Sequence, residues 1–179
     1  MSEEESPFIS MEVVGVRIEM PSNQPIVLLK EIDGSRFLPI WVGAAEATAI
    51  AFAQQGINPD RPLTHDLMRD LLQTLDATLL AVQITHLRDG IFFATLQLRT
   101  FEDAALAVSA RPSDAIALAL RSQSNIVASR ELVDQVGIEI PERLIQEMGA
   151  EGEPIEPASA DLDAFREFLD QINPEDFKG

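Results

Sequence analysis

Three carboxylates and two arginines stand out by where they fall in the chain. Glu46, Asp66 and Asp114 each lie near the start of a segment with a helical pattern, among small or apolar neighbours. Arg61 and Arg111 each precede a proline at the entrance to such a segment, in RPLTHDL (61–67) and RPSDAIAL (111–118). If those helix starts converge, hard carboxylate oxygens could hold Mg2+ or Mn2+, and guanidiniums could grip a phosphodiester bidentately. Free N–H groups at a helix start also favour anions. Metal-assisted phosphodiester hydrolysis needs this combination: a cation to polarise the phosphoryl oxygen, and fixed positive charge around it. On this reading Glu46, Asp66 and Asp114 are metal ligands, and His65, Asp66 and Asp114 are the catalytic group, with His65 as general base or ligand. Arg61, Arg111 and Ser113 then form the phosphate-binding set. The plainer reading is structural: proline fixes each helix entry, each arginine bonds a nearby carbonyl or carboxylate, and acidic first-turn residues are ordinary helix design.

Other chemistries are poorly served. The only histidines are His65 and His86, which rules out a three-His zinc site. There are no cysteines, so no disulfide scaffold, thiol nucleophile or Cys-ligated metal. A Ser113–His65–Asp triad can be written on paper, but no G-x-S-x-G elbow supports it. Nor does a glycine-rich phosphate loop appear.

The elements that must position these residues read as α+β. Residues 11–20 alternate as a strand, with Val14, Val16 and Ile18 on one face. Ile26–Ile32 and 36–42 form a hairpin through Asp33-Gly34, with Pro39 placing the return strand at an edge. Gly43 opens an Ala-rich helix that Gly56 closes. Thr64 is the expected cap of a second helix, and Ser113 of a third, AIALALRS. Strands 78–87 and 91–99 join through Asp89-Gly90. Short strands follow at 106–109 and 126–127, then short helices from Ser129 and from Pro141 over 142–148. Strands and helices do not alternate one for one, so the expected fold is a compact single α+β domain: a mostly antiparallel sheet with flanking helices. His86, at a strand end, reads as a surface or pairing residue.

At 179 residues the chain has room for one domain and its extensions. The expected division is an acidic extension (1–10), the domain (11–148), a linker (149–160), and an acidic tail (161–179) with an amphipathic helix over 161–172. No apolar run approaches the ~20 residues of a membrane span, and MSEEES is unlike a signal peptide, so a cytoplasmic, non-membrane protein is expected. Net charge is −17. Residues 1–10 carry −3 and residues 151–179 carry −7, while residues 11–150 hold 11 basic and 18 acidic side chains, also −7. That balance argues against tight, sequence-independent nucleic-acid binding by the whole chain. It leaves room for a small phosphate site in the body, with the tail restraining access or mediating contacts.

Four ordered blocks, LPIWVGAAEATAIA (38–51), RPLTHDL (61–67), DGIFFATLQL (89–98) and ARPSDAIALALR (110–121), resemble the signature blocks of the bifunctional nuclease domain family over about residues 11–145. The resemblance implies a compact α+β domain that tends to form a homodimer, acting as a DNase and RNase on nucleic acid. The family blocks fall on Glu46, Arg61, Thr64, His65, Asp66, Arg111, Ser113 and Asp114. One departure is at Ser109, where the family often has an acidic residue. The C-terminal segment FREFLDQINPEDF looks like the acidic tail of actinobacterial relatives. The alternative expectation is a non-catalytic dimeric interaction or regulatory module that retains the nuclease-family fold.

Overall fold

The computed structural model describes residues 6–19 and 22–140. The expected helix over 142–148, the linker and the amphipathic tail segment lie outside those residues. Among the described residues one mixed sheet of eight strands carries four helices. In chain order they are β1 (Phe8–Glu19), β2 (Gln24–Glu31), β3 (Arg36–Trp41), α1 (Ala44–Gln54), α2 (Thr64–Thr74), β4 (Thr78–Arg88), β5 (Ile91–Arg99), β6 (Ala105–Ala110), α3 (Pro112–Ser122), β7 (Asn125–Ser129), α4 (Arg130–Val136) and β8 (Ile138–Glu139). The strand order is β6-β5-β4-β7-β1-β2-β3-β8. Every neighbouring pair is antiparallel except β4 and β7, so the α+β, mostly antiparallel expectation holds.

Cross-strand partners share a face of the sheet, and the register sorts that face cleanly. Val82, Ile84, Leu96, Ala94, Ile126, Met11, Val27, Leu29, Leu38 and Ile40 are buried in one apolar cluster. The helices close over it, supplying Ile50, Ile116, Leu118, Leu132 and Val133. The opposite face is more polar: Gln97 donates to Gln83 across β5 and β4 at 2.9 Å. His86 takes the pairing role expected of it, stacked on its partner Phe93 at 4.5 Å between ring centroids.

The helix at the centre is α3. Ala115, Ile116, Ala117, Leu118 and Ala119 are all essentially inaccessible, and α3 touches both α1 and α2 as well as β4, β5 and β7. Its three alanines have no long side chains to hold neighbours away. A helix apolar all round is a core helix.

Three local expectations are corrected. The cap of α2 is Leu63, not Thr64, which is already helical; Asp66 supplies the missing acceptor by taking the Leu63 N–H on Oδ2 at 3.0 Å. The cap of α3 is Arg111, not Ser113, because Pro112 at the first helical position already has the right φ and no N–H to satisfy. The Asp33-Gly34 pair makes no two-residue turn: β2 ends at Glu31 and β3 begins at Arg36. Glu31 closes that loop by accepting the Arg36 backbone N–H and binding its guanidinium. Asp89-Gly90, by contrast, has φ of +53° and +77° and joins Arg88 to its partner Ile91, as a type I′ hairpin requires. Pro39 sits on β3 past the short β8 pairing at Arg36 and Phe37, where no ladder N–H is needed.

Asp66 and Arg121 tie α2 to α3. Arg121 Nε donates to Asp66 Oδ1 at 2.6 Å, with only 6% and 12% of the two side chains exposed. Burial alone would raise the Asp66 pKa. The Arg121 hydrogen bond, the Leu63 N–H and the charges of Arg121 and Arg69 outweigh it, so the carboxyl is held below its usual range. A lowered carboxyl pKa stabilises the fold above the unfolded value of about 3.9, and that contribution is lost as pH falls through the folded value. Asp66→Ala leaves Arg121 buried without its counter-charge and is expected to cost about 3–5 kcal/mol at pH 7, a difference that narrows below about pH 4. Denaturant unfolding of both proteins at pH 7 and pH 3 checks this; equal stability at pH 7 would show that the pair is not a clamp.

Candidate functional site

Glu46, Asp66 and Asp114 occupy the same local position. Counting from the caps Gly43, Leu63 and Arg111, each is the third residue of its helix, where a negative charge meets the positive end of the helix dipole. Their tertiary surroundings differ. Arg111 reaches across from the start of α3 to the start of α1: its Nη2 donates to Glu46 Oε1 at 2.7 Å, and its Nε donates to Asp114 Oδ2 at 2.7 Å. A longer Nη2 bond to Asp114 Oδ1 measures 3.1 Å. On the far side of Asp114, His65 Nε2 lies 2.9 Å from Oδ1. Glu46, Arg111, Asp114 and His65 therefore form one connected chain, while Asp66 faces Arg121 instead.

Gly43 makes room for this arrangement. A Cβ there would lie 2.3 Å from Glu46 Oε2, so any larger residue displaces the carboxylate that Arg111 binds. Burial would raise the Asp114 pKa, but the hydrogen bonds from Arg111 and His65 and the charges of both outweigh it, and the carboxyl is held low. With Asp114 ionised, His65 Nε2 carries the proton and donates it. Nδ1 makes no hydrogen bond among the described residues.

The remaining expected site residues fall elsewhere. Arg61 is exposed and forms no hydrogen bond or ion pair among the described residues. The Arg-Pro echo does not repeat in space, since Arg111 caps α3 but Arg61 lies two residues outside the cap of α2. Thr64 is exposed on the first turn of α2. Ser113 is buried and hydrogen-bonds neither His65 nor Asp114 among the described residues. Ser109 is exposed on β6 opposite Thr95.

Among the described residues no three His, Asp or Glu side chains are grouped to hold a metal. Mg2+, however, is commonly held by one or two carboxylates with the substrate's own phosphate oxygens completing the shell. Glu46 and Asp114 are the two carboxylates of the cluster, and with Arg111 between them their formal charges sum to −1. They are the carboxylates that could contribute to such a shell, and both oxygens of Asp114 already accept hydrogen bonds.

Beside this cluster opens a cleft of about 550 Å3. Its walls come from the β3–α1 junction (Trp41 to Ala44), the β4–β5 hairpin (Gly90 to Phe92) and the start of α3 (Arg111 to Ser113). Trp41, Gly43 and Arg121 were not singled out by sequence reasoning. Trp41 had one available signal: it is the chain's sole tryptophan and stands two residues before Gly43.

No helix of the described residues is long and apolar enough to cross a membrane. A sequence profile described as the bifunctional nuclease domain matches residues 27–141. An uncharacterized protein of Mycobacterium tuberculosis (strain ATCC 25618 / H37Rv) is 45% identical over 168 residues, which covers 94% of this chain and 97% of its own. The rice protein bifunctional nuclease 1 (Oryza sativa subsp. japonica) is 25% identical over 117 residues, 64% of this chain and 35% of the plant protein. With the profile spanning well over half of the sequence and the mycobacterial relative aligned along nearly all of it, the chain belongs to the bifunctional nuclease domain family.

Proposed function

We propose that the protein hydrolyses phosphodiester bonds in DNA or RNA at the Glu46–Arg111–Asp114–His65 cluster, with Mg2+ or Mn2+. The observation that carries this reading is Arg111, whose side chain is 65% exposed at the rim of a cleft large enough for a nucleotide. An exposed ion pair contributes only about 0–1 kcal/mol to stability, so folding energy does not account for an arginine fixed across two helix starts. The family relationship supports nucleic acid as the ligand.

In this reading the Arg111 fork, oriented by Glu46 and Asp114, receives the phosphate on its open side. Asp114 fixes the imidazole of His65 so that Nδ1 is the nitrogen able to take up a proton. Glu46 and Asp114 would hold the cation, and what it supplies there is polarisation of a phosphoryl oxygen and the positive charge that the cluster lacks. Arg61 and Ser113, one outside the α2 cap and one at the cleft wall, would contact phosphates farther along the strand. Asp66 supports the site through Arg121 and α3.

The second reading, a non-catalytic module, rests on the pairing of Arg111 with two carboxylates and of His65 with one, which makes the cluster resemble a structural lock. One assay separates the two. Wild-type protein, Asp114→Ala and His65→Ala are incubated with single-stranded DNA and RNA, with Mg2+ or Mn2+ and with chelator, and their melting is followed in parallel. Cleavage by wild type is expected to stop with chelator and to fall about 100-fold or more in both variants without loss of folding. Unchanged cleavage in the variants would mean a contaminating enzyme, and no cleavage under any condition would favour the module.

We also infer a cytoplasmic homodimer. Leu63, Leu67, Leu71 and Leu75 recur every fourth residue along α2 and are 44–67% exposed. Leu106 and Val108 are exposed on β6, whose outer edge is unpaired among the described residues. A stripe and an edge of this kind match a twofold partner, which presents the same surfaces in reverse. Light scattering after gel filtration is expected to give about twice the 19.7 kDa chain mass, and Leu67→Glu with Leu71→Glu to return the monomer. A wild-type monomer at tens of micromolar would sink the dimer.

A further inference from the structure

We propose that Trp41 is a stacking platform for an unpaired base, so that the cleft takes a nucleobase while Arg111 takes the adjoining phosphate. The inference rests on the nuclease reading and names the part of the substrate which that reading leaves unassigned. Trp41 ends β3 and is 49% exposed, although an indole is among the side chains that gain most from burial. Its edge is nevertheless held. Nε1–H donates to Glu19 Oε2 at 3.1 Å, and Ser22 Oγ donates to the same oxygen at 2.9 Å. The Trp41 N–H, followed by the Ser22 hydroxyl, lowers the Glu19 pKa, so the acceptor is ionised at neutral pH. A ring fixed at its polar edge with much of its surface uncovered is pre-organised for a flat partner, and little ordering remains to be done on binding.

The surroundings supply the rest of a nucleotide's needs. Ile91, 61% exposed, adds a second apolar surface to the same cleft. Arg111 and the first turn of α3 form another part of its wall. A base stacked inside a duplex presents no free face, so a platform of this kind selects single-stranded substrate. It also binds with little dependence on sequence, because every base has a π-face. This suits an acidic chain, in which phosphate neutralisation alone cannot supply much affinity.

Trp41 is the only tryptophan, so intrinsic fluorescence of the full chain reports on this cleft and nothing else. The probes are a hydrolysis-resistant phosphorothioate hexathymidylate and an abasic hexamer of the same length and charge, titrated in Mg2+. Hexathymidylate is expected to quench the fluorescence and bind about tenfold or more tighter than the abasic strand. By titration calorimetry, which needs no tryptophan, Trp41→Ala should weaken hexathymidylate binding about tenfold and leave the abasic strand unaffected, and Trp41→Phe should restore most of the difference. Melting of each variant confirms that it is folded. Equal binding of the two strands, with no quenching and no effect of Trp41→Ala, overturns the platform and leaves the nuclease reading intact. If neither strand binds, the platform is overturned, and the cleavage assay then decides the nuclease reading separately.

Discussion

The placement of every charged group discussed above depends on the burial of α3. Ala115 to Ala119 are sealed on all sides, so this helix has almost no freedom to rotate or slide without opening voids in a close-packed interior. Its two ends inherit that rigidity. At the N-terminal end Arg111 and Asp114 are held against Glu46 and His65; at the C-terminal end Arg121 meets Asp66. One apolar segment of the sequence thus fixes a buried clamp and an exposed polar cluster about a helix length apart. The two differ in energy for a simple reason. The Arg121 pair is desolvated, so losing one partner leaves an uncompensated charge. The Arg111 pair stays in water, where its Coulomb attraction is largely screened.

Much of this was legible in the sequence where the determinants are local. Apolar runs bounded by turn residues placed the strands, and Asp89-Gly90 marked a hairpin that the backbone adopts. In β1 a bulge between Val13 and Gly15 breaks the expected alternation and leaves Ile18 exposed. Glu46, Asp66 and Asp114 were all recognised as early helical acids, and all three occupy the same turn position. What the sequence could not reveal is the direction each helix presents that position. Glu46 and Asp114 face one another because α1 packs against α3; Asp66, on α2, looks toward the other end of α3. Both misplaced caps have one origin. A hydroxyl residue is the best cap in isolation, but here Pro112 removes one free donor at the start of α3, and the Asp66 carboxylate ties down the N–H of the cap residue Leu63. At Asp33-Gly34 the favoured turn dipeptide lost to the pair between buried Glu31 and half-buried Arg36, a contact that turn propensity does not register.

Charge also looks different at short range. The chain's −17 is spread over both ends and the domain, whereas the local sum at Glu46, Arg111 and Asp114 is −1. A phosphate approaching that point meets a guanidinium already shared by two carboxylates, and it gains little unless a further positive charge comes with it. On the proposed reading, a cation at the same two carboxylates that orient Arg111 would supply that charge. A positioning role for Arg111 and a cation at Glu46 and Asp114 are complementary in electrostatic terms.

Such a site cannot hold a polyanion by charge alone. Nucleic-acid binders that rely on phosphate neutralisation carry a broad basic surface, and with 13 Lys and Arg against 30 Asp and Glu this chain is poorly supplied for one. Affinity has to come from contacts that do not depend on net charge. The cleft beside Arg111 provides them in Trp41 and Ile91, apolar surfaces left open where folding alone would have covered them. Arg111 then fixes where the strand's backbone lies, and the apolar wall determines whether its bases are free to enter. On the proposed reading, an acidic protein in a nuclease family is physically consistent: a shortage of positive charge makes stacking necessary, and stacking would favour unpaired strands.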